Sequence, residues 1–213
     1  MALFVAFWIW QTPGNLQKLS SADVDTYLHK LEGKLPGNAA EQTAFLARMR
    51  AFGLADDGRP IYMLNLMRYY PALKRGPGMD GVRGTPTEAN ATYEKVVMPI
   101  LLRLGAYPLF GGETMEIRAD GKAHSNLDGF DPAIDDWSRI LVVRYPSRRA
   151  FFELLTDPQW LKFAPYKIAA LEIALVPASG QVVIPDLRWM VGGACLIVFL
   201  VTCWLRAARA RRS

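Results

Sequence analysis

Hydrophobic positions in this 213-residue chain follow two kinds of pattern. Residues 1–10 and 189–205 are uncharged, mainly apolar runs, whereas the stretch between them mixes helical spacing with the alternation of strands. Uninterrupted apolar runs are typical of segments that contact lipid, and mixed patterns are typical of a globular domain. The pattern therefore predicts a folded body between two apolar ends.

The first part of this body, residues 18–58, predicts a pair of helices. Ser20 with Asp23, and Asn38 with Glu41, have the spacing of capping boxes at helix starts. Apolar residues then recur at helical spacing in both segments: Val24, Tyr27, Leu28 and Leu31 in the first, and Ala44, Phe45, Leu46, Met49 and Phe52 in the second. We expect a helical hairpin that packs on the main domain.

Residues 59–178 predict an α+β domain with a ferredoxin-like βαββαβ order. The expected strands are 61–69, 107–117, 137–145 and 171–176, with helices after Thr85 and after Pro146. The pair Gly111-Gly112 suggests a bulge in the second strand. Helices of such a unit cover one sheet face, so we expect a second copy to cover the other and complete a homodimeric α+β barrel.

The run at 189–205 predicts one transmembrane helix. It has 17 uncharged residues between Arg188 and Arg206, and at 1.5 Å per residue it reaches about 25 Å across a hydrocarbon core of about 30 Å. Residues 179–188 then form a linker, and 206–213 a basic tail. A buried core helix is the alternative interpretation, but such a helix would keep a polar stripe.

The N-terminal segment, residues 1–17, has three interpretations. It could pack on the body, lie at the membrane interface as an anchor, or form the outer end of a membrane helix that begins upstream. Trp8 and Trp10, followed by Gln-Thr-Pro-Gly, resemble an interfacial belt at a helix exit and favour the third interpretation.

Membrane topology follows from the arginines of the tail. Four arginines directly after the C-terminal run favour a cytoplasmic tail. The body would then lie in the periplasm, tethered to a bacterial inner membrane. If Met1 is the genuine start, a cytoplasmic tail-anchored body is the alternative.

Charge argues against a nucleic-acid partner. The formal net charge is +5, and four of the positive charges belong to the tail: Arg206, Arg209, Arg211 and Arg212. The first 205 residues therefore carry only +1, which provides no basic face for a phosphate backbone. Both cysteines, Cys195 and Cys203, lie in the apolar run, so no disulfide framework is expected in the body.

Three segments of the body carry a family resemblance. PIYMLNLMRYYP, NATYEKVVMPILLRLGAYPLFGGE and DDWSRILVVRYPSRRAFFELLTDPQW resemble DUF1330-type members of the dimeric α+β barrel superfamily, over roughly residues 59–176. This resemblance implies the homodimeric barrel. Neighbouring families in that superfamily include cofactor-free monooxygenases, haem-degrading enzymes and lactone isomerases, but the DUF1330 type itself implies no settled activity.

The candidate site residues come from strand alternation. Asn65 is a lone amide among apolar residues of the first strand, suited either to polarise a bound carbonyl inside the barrel or to satisfy backbone groups. Arg144 could clamp a substrate carboxylate or form a surface ion pair. Four further residues are candidates for lining a ligand pocket, with plain core packing as the alternative: Met67, Tyr93, Trp137 and Tyr145.

No residue pattern indicates a metal or a cofactor. His29 has no acidic or cysteine residue at the spacing of metal ligands, and His124 lies near Asp120 and Asp128 in a polar loop, a set too weak for a metal site of three or four ligands. Nucleotide-binding and hydrolase motifs are absent from the sequence. The sequence favours a membrane-anchored small-ligand-binding or scaffold protein, with a membrane protein as a further expected partner. The alternative is a cofactor-independent oxygenase or isomerase that acts on a small aromatic or quinone-like substrate, with Asn65 and Arg144 as catalytic candidates.

Overall fold

The computed structural model describes residues 2–119, 122–128, 131, 136–180 and 187–210. The chain divides into two units, residues 1–179 and residues 180–213. The helices are α1 Ala2–Gln11, α2 Ser21–Leu31, α3 Ala39–Leu54, α4 Pro86–Arg103, α5 Arg148–Thr156, α6 Pro158–Ala170 and α7 Leu187–Ala210, with a short 3₁₀ helix at Gly14–Gln17. The strands are β1 Ile61–Tyr69, β2 Tyr107–Glu113, β3 Ile117–Ala119, β4 Lys122–His124, β5 Arg139–Tyr145 and β6 Leu171–Ser179.

The main sheet confirms the ferredoxin-like prediction. Its strand order is β2-β5-β1-β6, and every neighbouring pair is antiparallel. The two central strands, β1 and β5, are joined through α4 and the β2 edge strand, and α5 and α6 lead from β5 to β6. Helices α2 and α3 form the predicted pair before the sheet.

Local signals in the sequence place the helix starts. Ser20, Asn38 and Thr85 each cap a helix in a complete capping box, which satisfies backbone N–H groups that the first turn leaves without partners. Helix α4 continues through Pro99 to Arg103.

Several strand details differ from the prediction. Strand β2 ends at Glu113 rather than at residue 117, and β6 continues to Ser179 rather than ending at residue 176. The register shift in β2 lies between Pro108 and Phe110, not at Gly111-Gly112, whose residues pair regularly with β5. Strand β5 begins at Arg139 rather than Trp137. The polar stretch after β2 contains a second small sheet, formed by β3 and β4.

The main core lies between the sheet and helices α2, α4, α5 and α6. Phe152 of α5 is fully buried at its centre, stacked at 6.4 Å from Phe52 of α3. A second, smaller cluster surrounds Met67 at the opposite end of β1.

Buried polar contacts hold the helical hairpin on the body. The Asp56 carboxylate joins the two ends of the hairpin by accepting a hydrogen bond from the backbone N–H of Leu19 at 2.7 Å, and it lies 3.7 Å from Nε of Arg148 in the body. Arg148 of α5 donates to the backbone oxygen of Phe52 at 2.6 Å and covers its ring. Helix α3 is thereby fixed close to the sheet, where it forms one wall of the cavity described below.

Helix α7 contains the predicted membrane segment. Its residues 190–210 are long and apolar enough to cross a bilayer. The helix extends past the predicted end at Leu205 and includes Arg206 and Arg209. Of the predicted linker and basic tail, residues 181–186 and 211–213 lie outside the described residues.

Candidate functional site

Asn65 lies at the centre of β1, on the face that the helices cover. It is 4% exposed. Its Nδ2 donates to the backbone oxygens of Met63 at 3.1 Å and of Leu141 at 3.3 Å. Because only the NH₂ group can meet two carbonyl oxygens, these bonds fix the amide and leave Oδ1 to accept. This oxygen accepts a hydrogen bond from Nζ of Lys167 at 3.1 Å.

Lys167 reaches this position from the buried stripe of α6. Trp160 and Ala164 are buried on that helix, and Lys167 follows Ala164 by three residues, which places it on the same face. Its Nζ lies 5.4 Å from the centre of the Tyr93 ring. Helix geometry therefore directs an ammonium group between the helices and the sheet.

The charge of Lys167 is poorly compensated. Burial lowers its pKa to about 8; the Glu94 carboxylate raises it and the Arg139 guanidinium lowers it. An ammonium has three N–H donors. Among the described residues, only the Asn65 oxygen accepts a hydrogen bond from it. Two donors therefore have no acceptor within the described part of the chain.

A second polar group lies beside this lysine. Arg139 of β5 donates to Oε1 of Glu94 at 2.7 Å, and Nδ2 of Asn90 donates to the same oxygen at 3.1 Å. Asn90 is 1% exposed and also contacts the Tyr69 hydroxyl at 3.4 Å. Glu94 is thus already engaged as an acceptor, and it affects Lys167 through its charge.

Two buried tyrosines add an aromatic wall. Tyr93 accepts a hydrogen bond on its hydroxyl from Nε1 of Trp160 at 3.1 Å, and burial raises its pKa to about 12. Burial also raises the pKa of Tyr145, whose ring meets Phe151 edge-on at 5.2 Å. Both phenols are therefore neutral at physiological pH and serve as aromatic surface rather than as bases.

These residues surround a cavity of about 740 Å³ between the sheet, α3, α4, α5 and α6. Most of its wall is apolar, including Met63, Phe45, Val97 and Leu155. Its polar residues include Asn65, Glu94, Arg139 and Lys167. The volume and the ratio of apolar wall to polar groups are those of small-molecule sites.

Arg144, the expected anion clamp, lies on the opposite face of the sheet. It pairs with Tyr62 across the strands, whereas Asn65 pairs with Leu141. Its Nη1 donates to Oε1 of Gln11 at 2.7 Å, and its Nη2 donates to the backbone oxygen of Gln11 at 2.8 Å. Strand alternation separates it from Asn65, so the two do not form one site.

Of the other four predicted pocket residues, two line the cavity and two do not. Tyr93 and Tyr145 line the cavity. Met67 is packed in the smaller core cluster, outside the cavity wall. Trp137 lies under the guanidinium of Arg68, 5.4 Å from its carbon, also outside the cavity wall.

Sequence reasoning missed Lys167, Glu94 and Arg139. A signal for the lysine was present, since Trp160, Ala164 and Lys167 follow helical spacing and put a charge on an apolar stripe. The Glu94–Arg139 pair joins a helix to a strand 45 residues away, and no local pattern indicates it.

No cluster of three or more metal-ligating side chains occurs among the described residues. His29 lies 3.1 Å from Glu32 on the surface. His124 ends strand β4 of the small sheet.

The chain is similar to two crystal structures of RPA0582, a protein of unknown function from Rhodopseudomonas palustris. The methylated form is 28% identical with a TM-score of 0.51, and covers 67% of this chain and 93% of its own. The second is 25% identical with a TM-score of 0.50, covering 67% and 94%. These likenesses support the α+β fold over the body and carry no activity with them.

A structure of SnoaB, a cofactor-independent oxygenase from Streptomyces nogalater, is 13% identical with a TM-score of 0.36 and covers 60% of this chain and 99% of its own. No family model, of the DUF1330 type or any other, and no curated protein matches the chain.

Proposed function

We propose that the body is a small-ligand-binding domain at a membrane, and that its cavity holds a largely apolar molecule with an acidic oxygen directed at Lys167. One observation carries this proposal: the Lys167 ammonium lines a mainly apolar cavity, and among the described residues the Asn65 oxygen is its single hydrogen-bond acceptor. Removing a charge from water with few hydrogen-bond partners is costly, so a ligand that supplies an anionic acceptor would relieve the cost.

The neighbouring groups favour an anion over a cation. Glu94, a carboxylate beside Lys167, is already held by Arg139 and Asn90. Asn65 can offer only one oxygen, and Lys167 occupies it. Two of the three Lys167 N–H groups have no acceptor among the described residues, and at the cavity wall they call for an anionic oxygen.

The apolar cavity wall determines which chemistry suits the part of the ligand that does not contact Lys167. Aromatic rings of Tyr93 and Tyr145 and the thioether of Met63 line the cavity. Flat aromatic or alicyclic bodies suit such walls because ring stacking and sulfur contacts are favourable there. We therefore expect an aromatic carboxylate, phenolate or enolate to bind better than a short polar metabolite.

A second candidate function is catalysis without a cofactor, as an isomerase or an oxygenase. The observation that favours it is the lowered pKa of Lys167, about 8, which places a neutral amine within reach at mildly alkaline pH. In an isomerase step the amine would take a proton from one carbon and return it to another. An oxygenase step would also need molecular oxygen as co-substrate.

The hydrogen bonds of Asn65 correspond to the second of its two roles considered from sequence, the satisfaction of backbone groups. Its NH₂ group is committed to two backbone carbonyls, so polarisation of a substrate carbonyl falls to the Lys167 ammonium. We propose that Asn65 positions Lys167.

The proposal is tested with the full chain in lipid nanodiscs. Naphthoate and its uncharged analogue naphthamide are titrated by calorimetry, with empty nanodiscs subtracted. We expect naphthoate to bind at least about tenfold more tightly, equivalent to about 1.4 kcal/mol. Lys167→Met should remove this preference and retain naphthamide binding.

Lys162→Met is the matched control, because Lys162 is an exposed lysine of the same helix. It should preserve the preference for naphthoate. Equal affinities for the two compounds in the unmodified protein would contradict the proposal. Loss of the preference in Lys162→Met as in Lys167→Met would also contradict it.

We also propose the homodimer expected from sequence. The sheet face opposite the cavity presents Leu64 and Val142 at its centre, with Phe110 and Val176 toward the edges. Phe110 is 58% exposed and Val176 47% exposed. A second copy would cover this apolar face, as the resemblance to DUF1330-type barrels implies.

The cellular location remains a proposal. Helix α7 supports attachment to a bilayer, and the tail arginines favour a bacterial inner membrane with the body in the periplasm. A cysteine introduced at exposed Lys95 should react with an impermeant maleimide in intact spheroplasts. Reaction only after lysis would place the body in the cytoplasm instead. A membrane-protein partner would be sought by cross-linking from the same position.

A further inference from the structure

Helix α1 is apolar on every side and is exposed. Residues 2–10 contain no polar or charged side chain. Leu3 is 88% exposed, and Val5 and Trp8 are 49% and 62% exposed. Successive side chains turn by about 100° around a helix, so Leu3 and Val5 point about 200° apart. The exposed apolar surface therefore encircles the helix rather than forming one stripe.

The C-terminal end of this helix is fixed to the sheet. Arg144 donates from Nη1 to the Gln11 side chain and from Nη2 to the Gln11 backbone oxygen, at 2.7 and 2.8 Å. The Gln11 amide in turn donates to the backbone oxygen of Gly105 at 3.2 Å. Arg144 is 8% exposed, and it places a cation against the last carbonyl of α1, where the helix dipole favours positive charge.

The packing at this joint is tight. Gly105 has φ +73°, and a Cβ there would lie 3.2 Å from the Trp10 ring and from Nε2 of Gln11. Trp10 and Gln11 are thus seated on the α4–β2 turn while the preceding residues project from the body. Such a joint defines the direction in which the apolar helix leaves the domain.

The shape of the exposed surface identifies its partner. A protein groove covers one stripe of a helix and leaves the rest in water, whereas lipid hydrocarbon contacts every side. Tryptophans at the body end, Trp8 and Trp10, are the residues expected where such a helix meets the headgroups. Because the chain also carries α7, which can cross a bilayer, it is already equipped to meet a lipid surface.

We infer that α1 inserts into the hydrocarbon region of a bilayer and that Arg144 and Gln11 form the rigid joint of this second membrane attachment. The inserted part, residues 2–10, is about 14 Å long at 1.5 Å per residue, which reaches about half of a 30 Å core. Arg144 is then a positioning residue for membrane attachment. This inference is independent of the ligand proposed for the cavity.

Spin labels on the full chain in liposomes test the inference. Cys195 and Cys203 are replaced by alanine, and single labels are placed by Leu3→Cys, Val5→Cys and Leu16→Cys. Collision with molecular oxygen reports lipid, and collision with a water-soluble nickel chelate reports water. We expect oxygen to dominate at positions 3 and 5, and nickel to dominate at position 16, which is 80% exposed beyond the joint.

Nickel dominance at either position 3 or position 5 would overturn the inference, because a helix in lipid is dry on all sides. Low accessibility to both reagents at either position would also overturn it, because a protein surface would then cover the helix. Oxygen dominance at both positions supports it whether or not naphthoate binds the cavity.

The role of Arg144 in holding α1 is tested by measuring the distance between α1 and the body. Labels at positions 3 and 95 give a distance distribution by pulsed electron resonance. Arg144→Met should broaden it, since α1 loses its cationic cap. Arg103→Met, which removes an exposed arginine paired with Asp157, should not. Equal widths in both variants would refute the role of Arg144.

Discussion

A cation lies at each face of the sheet, Arg144 on one side and Lys167 on the other, and the two differ in their partners. On the face opposite the helices, Arg144 gives two short hydrogen bonds to Gln11. On the helix-covered face, Lys167 has a single described acceptor, the Asn65 oxygen. A guanidinium held by Gln11 and by the Tyr107 ring, outside any cavity wall, stabilises structure. An ammonium with unused donors at a cavity wall can recruit a ligand. Proximity to a cavity and unmet hydrogen bonds together distinguish a candidate site from a structural contact.

The largest effect is expected on dimer affinity, from a substitution on the sheet face opposite the cavity. Leu64→Arg places a charge at the centre of the proposed dimer interface, between Val142 and Val176. Burying this charge without a partner should weaken the dimer at least about 100-fold, or about 3 kcal/mol. Analytical ultracentrifugation in detergent measures the dimer dissociation constant, with Lys95→Glu at an exposed position of α4 as the control. A monomeric unmodified protein would show instead that this face needs no second copy.

The second-largest effect is expected on the free energy of unfolding, from a substitution on the helix-covered face of β1. Asn65→Leu removes the donor to two backbone oxygens and the acceptor of Lys167, which should lower the free energy of unfolding by about 1–3 kcal/mol. Tyr62→Phe, at a position of β1 on the other face, should change it by less than about 0.5 kcal/mol. Thermal unfolding of the full chain in nanodiscs compares them. Equal losses would mean that the Asn65 network contributes nothing specific.

Ligand binding should depend on pH through Lys167. Below its pKa of about 8 the lysine is charged, and above it the charge is lost. Naphthoate affinity should therefore fall about tenfold between pH 7 and pH 9, because the charged fraction falls by that factor. The profile should be flat for Lys167→Met and for naphthamide. A constant affinity for naphthoate across this pH range would show that binding does not depend on the charge of Lys167.

The smallest effect is expected from the other cation. Arg144→Met should leave naphthoate affinity within about twofold of the unmodified value, because Arg144 lies across the sheet from the cavity and Gln11 occupies it. Calorimetry under the same conditions measures this. A tenfold loss of naphthoate affinity would show that Arg144 contributes to ligand binding. It would then contradict the different roles assigned to the two sheet faces.

The order of elements was predictable because local signals set it. Capping pairs such as Ser20 with Asp23 and Thr85 with Glu88 determine helix starts through contacts three residues apart. Strand alternation likewise identified Asn65 as a lone amide among apolar residues of β1. The bulge was misplaced because Gly111-Gly112 is compatible with regular pairing, and pairing with β5 decides where the register shifts.

The site was only partly predictable. Asn65, Tyr93 and Tyr145 stand out as polar or aromatic residues at apolar positions, and all three line the cavity. Arg144 was predicted as a site residue in the same way, but it binds Gln11, which lies 133 residues away in the sequence. Lys167 could have been found from the helical spacing of α6, whereas the pairing of Glu94 with Arg139 requires the fold.

The most direct measurement is a crystal structure of the full chain, grown from lipid with naphthoate. We predict that a carboxylate oxygen of naphthoate lies about 2.7–2.9 Å from Nζ of Lys167, with its rings between Tyr93 and the sheet. Naphthoate bound at Arg144, or found only on the surface while the cavity stays closed to it, would contradict a ligand site on the helix-covered face.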